Sequence, residues 1–467
     1  MSVVFCAVCP HPPIVLPEVG QEESAKVSAT RQALLEIGER IKQSGAETIV
    51  VISPHGPVFR DVVAINRLKT LEGDLAIFRG GEIVVTADND QDIADEIGNK
   101  AYFLGVETID LSQNEERVYN ISLRLDHGVV VPMYYIQQSA GRMPLVHVAM
   151  SIMPLDRLYR LGMAIRQAAE AVGRKVAIIA SGDMSHGLNQ DAPGGYLPRG
   201  EEFDDEIVRL LTAADFAGVL KMDQNLVAAA GECGYRTLVM MLGALDGYAV
   251  QTEVLSYEGP FGVGYLTAAL TPMASNGAPS IWDLFEKEND EIIERKRNAE
   301  SFLVRFARNT LESFVRNEEA ESATDVPAEF KGKKAGVFVS IKKHGNLRGC
   351  IGTIEPTQSD LLAEVASNAI SAGIYDDRFQ PVRADELKHL EYSVDVLYAP
   401  EPVKDAGDLD HKRYGIIVRS GERRGLLLPN LEGVNSVADQ IAIASQKAGI
   451  NHHEPMEIER FEVVRYY

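Results

Sequence analysis

Four histidines and one glutamate are the residues of this chain whose types and spacing best suit chemistry. His11 follows the apolar run 3–8, His55 follows the run 48–52, and His186 closes Ser181-Gly182-Asp183-Met184-Ser185-His186 after the run 176–180. His127 stands in Leu125-Asp126-His127-Gly128, ahead of the apolar stretch 129–136. Glu232 stands in Gly231-Glu232-Cys233-Gly234, where a helical pattern begins. Two imidazoles and one carboxylate make the facial triad that holds non-haem Fe(II) and leaves positions open for substrate and oxygen. Imidazoles outside the triad titrate near neutral pH and are available to move protons. Asp183 reads either as a residue orienting His186 from behind or as a turn cap.

These residues need elements to bring them together. Up to about residue 272, strand-like apolar runs alternate with helical stretches such as 27–43, which argues for βαβ units and a largely parallel sheet. Such sheets bind ligands in the crevice outside the carboxyl ends of their strands, where the histidines fall. A single histidine beside a proline is commonly only a polar turn residue; four at separate strand-to-loop junctions of one sheet edge form a coherent set. His147, inside Leu145-Val146-His147-Val148-Ala149, reads instead as a packed core histidine. Cys6 and Cys9 have metal-site spacing, but no second pair completes a zinc site, so they read as small apolar residues.

The segment 273–280, small, polar and broken by prolines, reads as a linker between domains at 1–272 and 281–467. Runs 251–257 and 264–270 read as the last strands before it. After it, 282–315 reads as one long amphipathic helix, 336–341 as a strand, 361–372 as a helix and 392–397 as a strand, a smaller α+β domain. The predicted fold class is therefore α/β with a mostly parallel N-terminal sheet flanked by helices, followed by an α+β unit.

Composition excludes several classes. The 467 residues carry a net charge of −22, with 25 Lys and Arg against 33 Asp and Glu from residue 280 onward, so neither part is basic. Nucleic-acid binding, which needs a cationic surface, is not expected. No stretch approaches the roughly 18 apolar residues of a spanning helix, and the chain's opening residues do not read as a signal peptide. Four cysteines make no disulfide framework, and a cytoplasmic location is expected.

Residues 1 to about 272 resemble the class III extradiol ring-cleavage dioxygenases, the LigB-like family. The resemblance rests on Cys9-Pro10-His11-Pro12-Pro13, Ser53-Pro54-His55-Gly56, Asp126-His127-Gly128, the Ser181–His186 segment and Glu232. It implies Fe(II), with Zn(II) as the alternative, held by His11, His55 and Glu232. His186 would serve as acid/base and His127 in support, with Asp183 and Asp126 behind them. The implied substrate is a small catechol-like aromatic together with dioxygen. The Memo proteins, a related branch, share this fold without a settled ring-cleaving role, and a shared fold does not fix the reaction.

Leu347-Arg348-Gly349-Cys350-Ile351-Gly352-Thr353, Tyr375-Asp376-Asp377-Arg378-Phe379 and Gly425-Leu426-Leu427-Leu428-Pro429 resemble the signature blocks of the AMMECR family, with Gln380 where a second proline is common. Cys350 is a candidate nucleophile, its thiolate favoured by Arg348, with His344, His452 and His453 as candidate bases; alternatively, it packs inward at a tight turn. The fusion resembles the AmmeMemoRadiSam-type proteins, which implies a radical SAM protein and a Memo-like protein as partners. Three readings stay open: an extradiol-type dioxygenase, a hydrolase or lyase using the same metal site, and a scaffold that docks a radical SAM partner through the AMMECR domain. Homo-oligomerisation is also left open.

Overall fold

The computed structural model describes every residue except 274–278, 320–324, 344, 404–405, 432–433, 435 and 452–453. The chain divides into two compact units, Met1–Glu286 and Lys287–Tyr467.

The first unit contains β1 (Val3–Cys9), β2 (Thr48–Ser53), β3 (Val63–Asn66), β4 (Thr70–Leu75), β5 (Gly80–Asp88), β6 (Thr108–Leu111), β7 (Leu145–Ala149), β8 (Val176–Ser181), β9 (Ala249–Glu258) and β10 (Tyr265–Met273). Eight of them form one sheet in the order β6-β3-β7-β2-β8-β1-β10-β9, while β4 and β5 pair separately as a hairpin. Strands β7, β2, β8 and β1 run parallel to one another, and β10 and β9 close the sheet antiparallel. Every residue of β2 and of β8 is buried, as expected of parallel strands covered on both faces. Alternate side chains divide between two cores. Val50, Ile52, Val146 and Ile178 pack with the helices Leu155–Val172 and Tyr235–Ala244, while Ile49, Val51, Ala177 and Ile179 pack with Ser28–Ser44 and His127–Ala140.

Two expectations about elements change. The sequence places His127 at a strand-to-loop junction, but the apolar stretch after it is the helix His127–Ala140, with Asp126 as its cap, accepting the Gly128 N–H at 2.8 Å. The stretch read as one helix over 282–315 is two, Ile281–Asn298 and Phe302–Arg316, separated where the backbone of Ser301 turns extended ahead of the second. The unit boundary accordingly falls inside the first of these helices. Ile281 and Phe285 belong to the core of the first unit, and the Trp282 ring lies 5.1 Å from that of Tyr159. Most of the segment read as a linker lies outside the described residues.

The second unit contains β11 (Gly336–Lys343), β12 (Asn346–Gly352), β13 (Leu390–Leu397), β14 (Glu401–Pro402), β15 (Tyr414–Ser420), β16 (Arg423–Leu427) and β17 (Glu457–Tyr466). They form an antiparallel sheet in the order β12-β11-β13-β17-β15-β16, with β14 beside β17. Helices Phe302–Arg316 and Leu361–Ile374 cover Val337, Val339, Ile341 and Val394, giving the α+β arrangement expected. Among the described residues no helix is long and apolar enough to cross a membrane.

Candidate metal centre

Because β1, β2 and β8 are parallel, their carboxyl ends open at one edge of the sheet, and His11, His55 and the segment leading to His186 leave from that edge. His127, first residue of its helix, is delivered to the same place. The His11 ring centre lies 4.8 Å from that of His55 and 5.2 Å from that of His127, and the His55 and His127 rings stack at 4.4 Å. The Nε2 atoms of His11 and His55 are 3.0 Å apart, and Cys233 Sγ is 3.6 Å from His11 Nε2. Ligand atoms of His11, His55 and Cys233 all lie within 4.8 Å of one another. Donor atoms this close suit a single ion, since metal–nitrogen and metal–sulfur bonds are roughly 2.0–2.3 Å. His11, His55 and Cys233 therefore fit a metal.

Glu232 was expected as the third ligand; the donor atom that the structure places with those of His11 and His55 is the Cys233 sulfur. Glu232 Oε2 accepts the N–H of Tyr235 at 2.6 Å, at the start of the helix Tyr235–Ala244, and the next side chain, Cys233, faces the histidines instead. The first N–H groups of a helix need an acceptor, and the carboxylate three residues earlier supplies it. Burial pushes Glu232 up to about 7 and raises the Cys233 thiol well above its usual range. The loop reaches the site because two glycines pass each other. A Cβ on Gly182 would lie 2.1 Å from the Cα of Gly234, so neither backbone could approach with a side chain there. A cysteine directly after Glu232 is the sequence signal for this arrangement, since its softer sulfur is itself a metal ligand.

Desolvation lowers all four histidines, His11 well below its ordinary value and His127 to about 4; repulsion from neighbouring histidines adds to this for His11, His127 and His186, while Asp126 partly offsets the lowering at His55. Near neutral pH they are thus neutral imidazoles, able to ligate or to accept a proton. His186 is close enough for its charge to bear on both His11 and His55. Its loop is held by a residue that sequence reading passed over. Asp204, on the helix Gly200–Thr212, accepts the Ser185 N–H at 2.7 Å and the Tyr257 hydroxyl at 2.6 Å. Phe78, in the turn between β4 and β5, sets its ring 5.1 Å from that of His127 and was likewise not foreseen.

Asp183 does not orient His186. Its Oδ1 accepts the backbone N–H of His11 at 2.8 Å, and Oδ2 stands 3.9 Å from His11 Nε2; burial pushes its carboxyl up to about 7. Asp126 accepts the Ser53 hydroxyl at 2.6 Å as well as the Gly128 N–H, and its other oxygen faces His147 Nε2 at 3.4 Å. His147 is buried within β7, and Cys6 and Cys9 are buried within β1.

In the second unit, Arg348 is directed to Glu386, with its Nη2 2.9 Å from Oε2, rather than to the thiol of Cys350. Cys350 Sγ lies 3.2 Å from Ser340 Oγ on the neighbouring strand. The peptide of Cys350 is gripped on its open side. Its N–H donates to Asp376 at 2.8 Å, and its carbonyl accepts from Arg378, which itself binds Asp376 through two nitrogens. Asp376 and Arg378 thus occupy the outward peptide groups of Cys350 on β12, the outermost strand. His344, His452 and His453 lie outside the described residues.

Comparison with known proteins agrees with this architecture. Residues 5–268 match the family described as the catalytic LigB subunit of aromatic ring-opening dioxygenase, and residues 304–466 match AMMECR1. Protein CA_C1420 of Clostridium acetobutylicum is 39% identical over 100% of this chain and 99% of its own length. A Thermotoga maritima protein is 48% identical over 35% of this chain and 95% of its own length. Among solved structures, uncharacterised protein PH0010 from Pyrococcus horikoshii is 31% identical with a TM-score of 0.32, covering 35% of this chain and 88% of that one. Uncharacterised protein JW3007 from Escherichia coli K12 is 16% identical with a TM-score of 0.41, covering 57% and 99%. The chain belongs to the LigB family of dioxygenase-like proteins, in a form fused to an AMMECR1 domain.

Proposed function

We propose that the N-terminal unit is a metal-dependent enzyme of extradiol-dioxygenase type, using Fe(II) to open a small catechol-like aromatic with dioxygen. The observation that carries this reading is the convergence of His11, His55 and Cys233 beside two further neutral histidines. A bound ferrous ion would supply a site where substrate oxygens and dioxygen meet, and charge to stabilise anionic oxygen. The protein's own part is proton handling and fit. His186, neutral and partly buried, takes a proton from the incoming hydroxyl, and His127 donates or accepts beside it. Phe78 offers an aromatic wall on the His127 side, where a planar ring packs edge to face.

A second reading is favoured by one observation, the thiol at Cys233. A sulfur donor suits zinc as well as iron, and the same imidazoles would then serve hydrolysis or a lyase reaction. Metal content of anaerobically purified protein, beside a His11→Ala/His55→Ala double variant, separates the cases. About one iron per chain, lost in the variant, together with oxygen uptake on catechols, supports the dioxygenase. Zinc without oxygen uptake moves the assignment to hydrolase or lyase chemistry. Equal, negligible metal in both proteins removes the enzyme reading and leaves the AMMECR unit as a scaffold for a radical SAM protein. That partner, a Memo-like protein and a cytoplasmic location belong to the proposal through the fused architecture alone.

A further inference from the structure

We infer that Ser181, the last residue of β8, is the positioning residue that fixes which nitrogen of His11 meets the metal, through a carbonyl set free by Pro132. The inference rests on the metal reading for its purpose, but not for its geometry.

The chain of contacts begins with a proline. Pro132 lies inside the helix His127–Ala140 and has no N–H to offer the carbonyl four residues before it, that of Gly128. Gly128 is buried, so its carbonyl needs a donor from elsewhere. The Ser181 hydroxyl donates to it. A hydroxyl has one proton. With that proton committed to Gly128, Ser181 Oγ meets His11 Nδ1, 2.9 Å away, only as an acceptor. Nδ1 must therefore carry the ring proton, which leaves the Nε2 lone pair free, and Nε2 is the atom that faces His55 and Cys233. Ser181 is fully buried and His11 nearly so, which keeps water from substituting for either partner.

The same turn holds the other histidine ligand. Asp126 Oδ1 takes the Ser53 hydroxyl, and Ser53 Oγ accepts the backbone N–H of His55 at 3.3 Å. Gly128 has no room for a side chain between them, since a Cβ would lie 2.4 Å from Ser53 Oγ and 2.7 Å from Asp126 Oδ1. The turn 126–128 thus supports the His11 ring through Ser181 and the His55 backbone through Ser53. Groups behind metal-bound histidines commonly set their tautomer and orientation, and losing one costs about 10- to 100-fold in affinity.

The test uses the full-length, metal-free protein with ¹⁵N-labelled histidine, its His11 signals assigned by a His11→Gln variant. Long-range ¹H–¹⁵N correlation reads the tautomer directly. Wild-type His11 is expected with Nδ1 protonated; finding the proton on Nε2 would overturn the inference without any further variant. Ser181→Ala is expected to mix the tautomers and to weaken Zn(II) binding, in competition with a chromophoric chelator, by about 10- to 100-fold. Ser181→Thr, which keeps the hydroxyl, restores both. An unchanged tautomer and affinity within about twofold in Ser181→Ala overturns it. If wild type binds neither Zn(II) nor Fe(II), the proposed function falls, while the tautomer measurement still judges the relay.

Discussion

Cys233 and Glu232 stand side by side with opposite tasks, and exchanging their roles has measurable consequences. The thiol is buried and raised, so an ion must displace its proton, and affinity should climb with pH. Cys233→Ser is expected to weaken Zn(II) or Fe(II) binding by two orders of magnitude or more, roughly, while Glu232→Ala leaves affinity within a few-fold. The latter instead loses a helix cap, about 1 kcal/mol in thermal unfolding. Chelator competition and melting curves on the two variants decide; metal loss in Glu232→Ala with retention in Cys233→Ser would return the carboxylate to the centre. What separates these two neighbours belongs to this scale. His11, His55 and His186 are legible because parallel strands end together. Which of two adjacent side chains faces inward depends on a helix N-terminus claiming one of them, and nothing in the spacing records that claim.

Among the elements, the helix Gly200–Thr212 and the loop bearing His186 are joined by one carboxylate. Burial pushes Asp204 up to about 6, above the ordinary carboxylate value of roughly 3.9. The folded protein therefore holds this proton more tightly than the unfolded chain. The stability it contributes is fully present below about pH 4 and is lost as pH rises through about 6, on the order of 2 kcal/mol. Asp183 and Glu232, raised to about 7, act in the same direction. Asp204→Asn should flatten its share of the slope in denaturant unfolding followed from pH 4 to 7; an unchanged slope would show that the carboxyl is not raised. Element boundaries were legible where apolar periodicity was clean, as in β2, β8 and β13. The run 129–136, apolar on all sides and containing a proline, hides its helix, and Ser301 hides a break because one extended residue inside an amphipathic pattern costs the pattern nothing.

At the scale of the whole molecule, the division inside the helix Ile281–Asn298 sets where the chain can be cut. A fragment ending at residue 286 keeps Ile281, Trp282 and Phe285 on the first core, whereas one ending at 272 loses all three. The shorter fragment should be less stable by about 3 kcal/mol or more, given the usual cost of deleting buried aromatic side chains. Equal melting temperatures for the two would place the boundary earlier. The occupied outward groups of Cys350 on β12 matter for the company this protein keeps. An outer strand with open hydrogen-bonding groups recruits strands from other molecules. Here the invitation is withdrawn by Asp376 and Arg378, held together as an ion pair with the carboxyl at about 2. The outward N–H and carbonyl beside the candidate nucleophile Cys350 are thereby already occupied. Asp376→Ala should leave metal binding untouched yet scatter light increasingly with time and concentration, as copies begin to add to one another along β12.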